Sequence, residues 1–318
     1  MKILNVLPVV ALCSLALNLS ASDDVRITYK SAKSTSSYYQ MAVQVGENIS
    51  RNTNKDLQIT IEESQGSVQN VKEVRKRKGN YVFTTPPVLI RLAQGQKAMF
   101  KKDKADDYSK IRSLFPIPYL TMHMVVNADS GINTFSDLKG KSLLIGKGSF
   151  GAREAKKYVK LFGLKGEVKL VGAELSGAVA ALKNGQIDGF ATAGSYPAPN
   201  VIEAAASTNI KILSMNDDQI TKTKRDKLII PAGTYSGINE DIVTTTLPVG
   251  VYTTTNMSEA TAYKFTKAFW ESKSNLEKQS VWWKAITPQN LAMFNAKLHK
   301  GALKYYNEIN ANVPSKLK

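Results

Sequence analysis

The chain has 318 residues, 43% of them hydrophobic, and its 43 Lys and Arg outnumber 26 Asp and Glu for a formal net charge of +17. That length is enough for two lobes with cores of their own. A single cysteine, Cys13, and two histidines, His123 and His299, with no ligand spacing to one another, exclude a disulfide framework and argue against a metal centre.

Met1 and Lys2 precede an uncharged apolar run from Ile3 to Leu19, then Ser20-Ala21-Ser22 and two aspartates. This reads as a secretory signal peptide over residues 1–21, cleaved after Ala21 or Ser22. Leu12 fits poorly before a lipoprotein cysteine, so Cys13 leaves with the leader. Export argues against nucleic acid as the partner of the positive charge, and so does the dispersal of the basic residues over several segments, such as Lys72–Lys78 and Lys97–Lys104. Two readings of that charge stand: a solvated surface, or attraction of small anions or an acidic partner face.

In chain order, Val25–Tyr29 alternates as a strand and runs into a hydroxyl-rich loop holding Ser31, Ser34, Thr35, Ser36 and Ser37. A helix follows through Tyr39, Ala42, Val43 and Ile49. Leu57–Ile61 is the next strand, Val68–Arg77 a helix ending near Gly79, and Asn80–Thr84 a strand stopped by Thr85-Pro86-Pro87. The second half repeats this order. Ser142–Ile145, Glu167–Val171 and Ile187–Ala191 read as strands, with helices at Ala152–Phe162 and near Ala178–Leu182, and Thr192-Ala193-Gly194 closes the third strand.

The repeated strand, loop and helix pattern gives an α/β class with two parallel or mixed sheets flanked by helices. Tyr119–Asn127 and Leu247–Thr254 are extended and apolar, and read as two crossover strands forming a hinge. One lobe then comprises residues 22–120 with 250–318, and the other residues 121–249. In such sheets ligands lie beyond the carboxyl ends of the strands. The C-terminal part reads as helical over Ala260–Trp270 and Leu291–Ile309.

Lys141–Arg153 concentrates the chemistry. Gly146, Gly148 and Gly151 spell G-x-G-x-x-G between a strand and a helix, which directs backbone N–H groups and a helix dipole at an anion. A dinucleotide is the first reading of that spacing. Export and the lack of glycine in the matching loop, Lys30–Tyr38, argue against it. No serine elbow, P-loop or paired carboxylates at glycosidase spacing accompany the loop, so the chain reads as a non-enzyme that needs no cofactor.

Asn184–Gly194, Ile230–Gly237 and Gly301–Tyr306, together with Gly66–Asn70 and Tyr38-Tyr39, resemble the TAXI subgroup of solute receptors. These receptors serve tripartite ATP-independent periplasmic (TRAP) transporters. The resemblance spans nearly the whole mature chain. It implies a two-lobed periplasmic binding protein of type II-like fold that closes on a small organic anion, a carboxylate such as glutamate or another organic acid. It further implies delivery to TRAP membrane permease subunits. The alternatives are a receptor for an ABC importer, a ligand-sensing module of a membrane signalling protein, and an exported enzyme of the same fold.

Carried over by position, the resemblance places the ligand among Ser34, Thr35, Ser36, Ser37 and Tyr38, the turn Gln65-Gly66-Ser67, and the strand end Thr84-Thr85-Pro86. From the second lobe it adds Ser149, Phe150 and Gly151, with Thr192, Ala193 and Gly194. This chain departs from the common pattern of the group at Ser36-Ser37, at Phe150-Gly151-Ala152 and at Thr84-Thr85-Pro86, so no relative's solute carries over. Two further residues, and Ser67 again, are read from their own chemistry. Arg153 either pairs a carboxylate or sits on the helix surface, Tyr235 lines the cleft or buttresses it, and Ser67 caps the helix behind it while sharing its N–H groups with a ligand.

Overall fold

The computed structural model describes residues 25–318, so the expected signal peptide over residues 1–21 lies outside the described residues. The first βα units are β1 (Val25–Lys30), α1 (Ser37–Asn52), β2 (Leu57–Glu62), α2 (Ser67–Glu73), β3 (Tyr81–Thr85) and α3 (Pro87–Gln94). A short α4 (Asp106–Ser109) leads into the long strand β4 (Ile111–Asn127). Next come β5 (Ser142–Leu144), α5 (Phe150–Leu161), β6 (Lys169–Val171), α6 (Ala178–Lys183), β7 (Gly189–Gly194), α7 (Pro199–Ser207), β8 (Ile210–Ile212), α8 (Asp217–Thr223) and β9 (Asp226–Ile230). The return strand β10 (Ile242–Thr254) is followed by α9 (Glu259–Glu271), α10 (Lys273–Gln279) and α11 (Lys300–Glu308).

Strands β2, β1 and β3 run parallel, as do β6, β5 and β7. Between these groups lie β10 and β4, antiparallel to each other and to the strand each meets, β3 for β10 and β7 for β4. The two expected sheets are therefore the ends of one hydrogen-bonded path, β2-β1-β3-β10-β4-β7-β5-β6, joined through the crossover strands. Those strands are longer than their apolar patterning indicates. At the crossing, the β4–β10 register shifts between Leu247 and Val249, where Pro118 and Pro248 each lack a ladder donor.

Local sequence explains the elements that border the cleft. Ser36 caps α1 by accepting from Tyr39 N at 3.2 Å, and Tyr38, Met41, Ala42, Val45 and Ile49 form its buried stripe. Ser149 does the same for α5 through Ala152 N at 2.9 Å. For α2 the expectation needs correction: Gly66, not Ser67, occupies the cap position, with no side-chain cap bond, and Ser67 is the first helical residue.

The C-terminal segment packs on the first half, where Phe115 and Phe269 stack with ring centroids 3.8 Å apart. It is not the single helix expected over Leu291–Ile309. Ser113 N donates to Lys297 O and His299 N to Ser113 O, so residues 297–299 pair with β4 and α11 begins only at Lys300. The backbone partners offered by β4 override the helical spacing of the side chains.

Candidate ligand-binding cleft

The strand-to-helix loops of both halves converge on a cavity of about 60 Å³. From the first half come Ala32, Lys33 and Ser36 of the β1–α1 loop with Tyr38 of α1, and Gln65 and Gly66 of the β2–α2 loop with Ser67 of α2. Facing them are Gly146, Lys147 and Ser149 of the β5–α5 loop and Phe150 and Gly151 of α5, with Leu175, Thr192 and Ala193. Leu120 of β4 joins the lining from the crossover.

Two glycines let the facing loops touch. Gly66 sits at φ +116, and a Cβ there would lie 3.5 Å from Ser149 Cα; Gly148, at φ +71, comes equally near Gln65, whose Cβ would be 3.3 Å away. Polar bonds then cross the gap. Glu174 bonds Lys33 Nζ at 3.2 Å and accepts from Gln65 Nε2 at 3.0 Å. Ser195 N donates to Ser37 Oγ at 2.9 Å, while Ser195 Oγ donates to Tyr119 O at 2.7 Å. The two halves are closed on each other.

The cleft's charge is uneven. Lys33 is held by Glu174 and lies 4.0 Å from Glu63, whose own carboxyl is kept below its usual range first by its hydrogen bonds to Ser34 and then by Lys33. Lys147 is exposed and has no ion pair among the described residues. It sits two residues before the cap of α5, whose first-turn N–H groups have no intrahelical acceptor. Lys147, which also lines a neighbouring open groove beside Val68 and Lys72, and the start of α5 thus border the same small space.

Ten of the residues expected to touch ligand lie on this cavity: Ser36, Tyr38, Gln65, Gly66, Ser67, Ser149, Phe150, Gly151, Thr192 and Ala193. Tyr38 contributes its ring rather than a free phenol, because its OH donates to Pro118 O at 3.1 Å and burial pushes its pKa well above the usual tyrosine range. Ser37 and Gly194 stand just behind the wall: a Cβ on Gly194 would meet Ser37 Oγ at 2.7 Å.

The remaining residues are not on the cavity. Ser34 N donates to Glu63 Oε1, and the Thr35 hydroxyl is buried without a partner. Thr84 bonds the Tyr29 phenol at 3.0 Å, Thr85 is fully buried, and Pro86 occupies the position before α3 without a side-chain cap bond. The Arg153 guanidinium turns onto the Phe150 ring, 5.7 Å from its centroid. Tyr235 is buried, accepting from Ala198 N at 2.9 Å and bonded to His123 Nε2 at 2.8 Å, which is the buttressing arrangement. The sequence reading missed Lys33, Lys147, Leu120 and Leu175. A lysine inside each strand-to-helix loop was the available signal for the first two.

Among the described residues no group of three or more His, Cys, Asp or Glu side chains is placed to hold a metal, and no helix is long and apolar enough to cross a membrane. The model of the NMT1-like family matches residues 30–309. The chain belongs to the NMT1-like family.

Solved structures similar to this NMT1-like chain share its fold at low identity. The periplasmic binding protein BugD is 9% identical, covers 92% of this chain and 99% of its own, and superposes with a TM-score of 0.57. A structure described as a periplasmic transporter is 12% identical over 80% of this chain and 85% of its own, with a TM-score of 0.54. A protein of Bordetella bronchiseptica RB50 is 18% identical over 92% and 85%, with a TM-score of 0.52. This NMT1-like chain therefore has the two-lobed α/β fold of periplasmic binding proteins, and its cleft lies at the carboxyl ends of the strands, where that architecture places ligands.

Proposed function

We propose that this chain is a periplasmic solute receptor, exported by residues 1–21, which captures a small organic anion in the cleft and presents it to the membrane subunits of a TRAP permease. The lobes are residues 22–120 with 250–318, and residues 121–249. The observation that carries the anion is the start of α5, with Lys147 two residues before its cap and without an ion pair among the described residues, at the rim of a cavity of about 60 Å³. The motif resemblance supports a small carboxylate, such as glutamate or another organic acid. Ser36, Gln65, Ser67, Ser149 and Thr192 supply polar groups for the rest of the solute. The receptor performs no turnover; it binds, closes by rotation at the crossover strands, and releases.

The TRAP assignment is supported by the motif resemblance, several parts of which have structural work in this fold. Gly66 brings the two loops together, and Gly301 lets two helices cross closely. Native mass spectrometry of protein purified with its carried solute, followed by a thermal-shift screen of organic acids and amino acids, tests the ligand class. Lys147→Ala should weaken an anionic solute about tenfold, a loss of about 1.4 kcal/mol in the range of a hydrogen bond to a charged group. A tight neutral sugar or polyamine would sink the anion reading. Uptake into vesicles should follow a sodium or proton gradient; dependence on ATP would sink the TRAP reading.

A further inference from the structure

A second and larger cavity, about 510 Å³, is not part of the cleft. Leu120 lines the cleft, whereas Pro118, Tyr119 and Thr121 line this groove, strict alternation along β4 being broken at the register shift beside Pro118. Between the two spaces runs a seam of hydrogen bonds: Tyr38 OH to Pro118 O, Ser195 N to Ser37 Oγ, and Ser195 Oγ to Tyr119 O. The groove is assembled from distant parts of the chain. Leu228, Pro231 and Thr234 come from around β9, and Val281, Trp282, Ala285, Ile286 and Asn290 from the C-terminal segment.

Its chemistry differs from that of the cleft. No charged side chain lines it, and three aromatic rings do, those of Tyr119, Tyr196 and Trp282. Its polar groups are mostly engaged: Trp282 Nε1 donates to Pro197 O at 3.2 Å and Thr234 Oγ1 to Pro231 O at 2.7 Å. Asn290 Nδ2 retains capacity, with only a long 3.4 Å contact to the Tyr119 phenol. An ion brought here would lose its hydration with no counter-charge, which costs several kcal/mol. A neutral molecule presenting ring faces would instead gain apolar burial and aromatic contact. The volume is within the range that small-molecule pockets occupy, roughly 300–1,000 Å³. Val281, 58% exposed, leaves apolar surface at the groove for such a molecule to cover.

We propose that this groove is a second ligand site, for a neutral, ring-bearing, largely apolar small molecule held between Tyr119, Tyr196 and Trp282, with Asn290 and the Tyr119 phenol as its polar handle. The site is independent of the anion in the cleft. The mature chain should bind N-phenyl-1-naphthylamine, a neutral fluorescent ring compound, saturably at one molecule per chain, with energy transfer from tryptophan that Trp282→Phe reduces, Trp270 and Trp283 remaining as donors. Ala285→Glu and Val281→Glu place a carboxylate in the groove at exposed positions; each should weaken the probe at least tenfold without changing the melting temperature. Lys147→Ala should leave probe binding intact. Absence of saturable binding, or equal binding by all variants, would overturn the proposal. So would loss of binding in Lys147→Ala alone, which would put the probe in the cleft. A dimer that Ala285→Glu dissociates would also overturn it, because the occupant would then be a second copy of the chain.

Discussion

Glu174 reaches from one half of the molecule to Lys33 of the other, 3.2 Å away, and takes a second bond from Gln65 Nε2. Both ends are partly solvated, so the pair contributes about 1 kcal/mol at most. Glu174→Ala should therefore shift the open-to-closed ratio of the unliganded protein up to about fivefold toward open. Small-angle scattering should show a larger radius of gyration, with the melting temperature nearly unchanged. An unchanged radius would mean that other contacts hold the halves together.

Acid should weaken the fold before its carboxylates titrate. Burial depresses the His123 imidazole from 6.5 to about 4, so the ring stays neutral in the native state, where its Nε2 shares a hydrogen bond with the Tyr235 phenol. Between about pH 6.5 and 4 the unfolded chain binds a proton that the native chain refuses, so stability is lost as pH falls through that window. The loss approaches about 3 kcal/mol at its lower end. His299 is also depressed by burial and adds in the same direction. Urea titrations at pH 7 and pH 5 should show the difference, and His123→Asn should flatten it.

The second half depends on a buried ion pair. Glu154, fully buried in α5, accepts from Arg225 Nε at 2.8 Å and Nη2 at 2.9 Å, a two-point contact that ties α5 to the turn before β9. Arg225→Ala leaves that carboxylate without its partner and should cost about 3–5 kcal/mol by denaturant titration. The double variant Glu154→Gln with Arg225→Met should be less destabilised than the single one. If the single variant loses under 1 kcal/mol, water or a neighbouring cation replaces the arginine.

Gly301 permits the close crossing of α9 and α11. A Cβ there would lie 2.1 Å from Glu259 O and 2.5 Å from Tyr263 N, both backbone atoms. Gly301→Ala must push the helices apart and disturb the nearby chain of bonds from Trp270 Nε1 to the Tyr306 phenol and on to Leu114 O. We expect a loss of about 1–3 kcal/mol. Thermal unfolding of the variant measures it; a neutral result would show that α11 can slide without cost.

The repeated loops and the two crossover strands were legible because strand alternation and small-residue loops are local signals. Ser36 and Ser149 were found as loop residues, and both prove to be helix caps bordering the cleft. What escaped was set by distance in sequence. Nothing around Glu174 announces Lys33, and nothing in the Tyr235 motif tells that its phenol meets His123 rather than solvent. Arg153 was equally open from sequence, since one helix turn decides whether it faces the cavity or the Phe150 ring. The C-terminal helix was overextended because spacing alone cannot reveal that Ser113 competes for the backbone of residues 297–299.

The crossover ribbon carries a mechanical consequence. Thr244 and Thr246 rivet it by donating to Met122 O and Leu120 O, and beside these rivets Pro118 and Pro248 leave the ladder short of two donors. A ribbon paired on both sides of a weak point can act as a torsion bar, with twist about its long axis concentrated where the prolines leave the ladder short. Opening by such a twist would keep most of the ladder, and the rate at which a captured solute escapes would then depend chiefly on the contacts across the gap, with the ribbon setting the direction of travel.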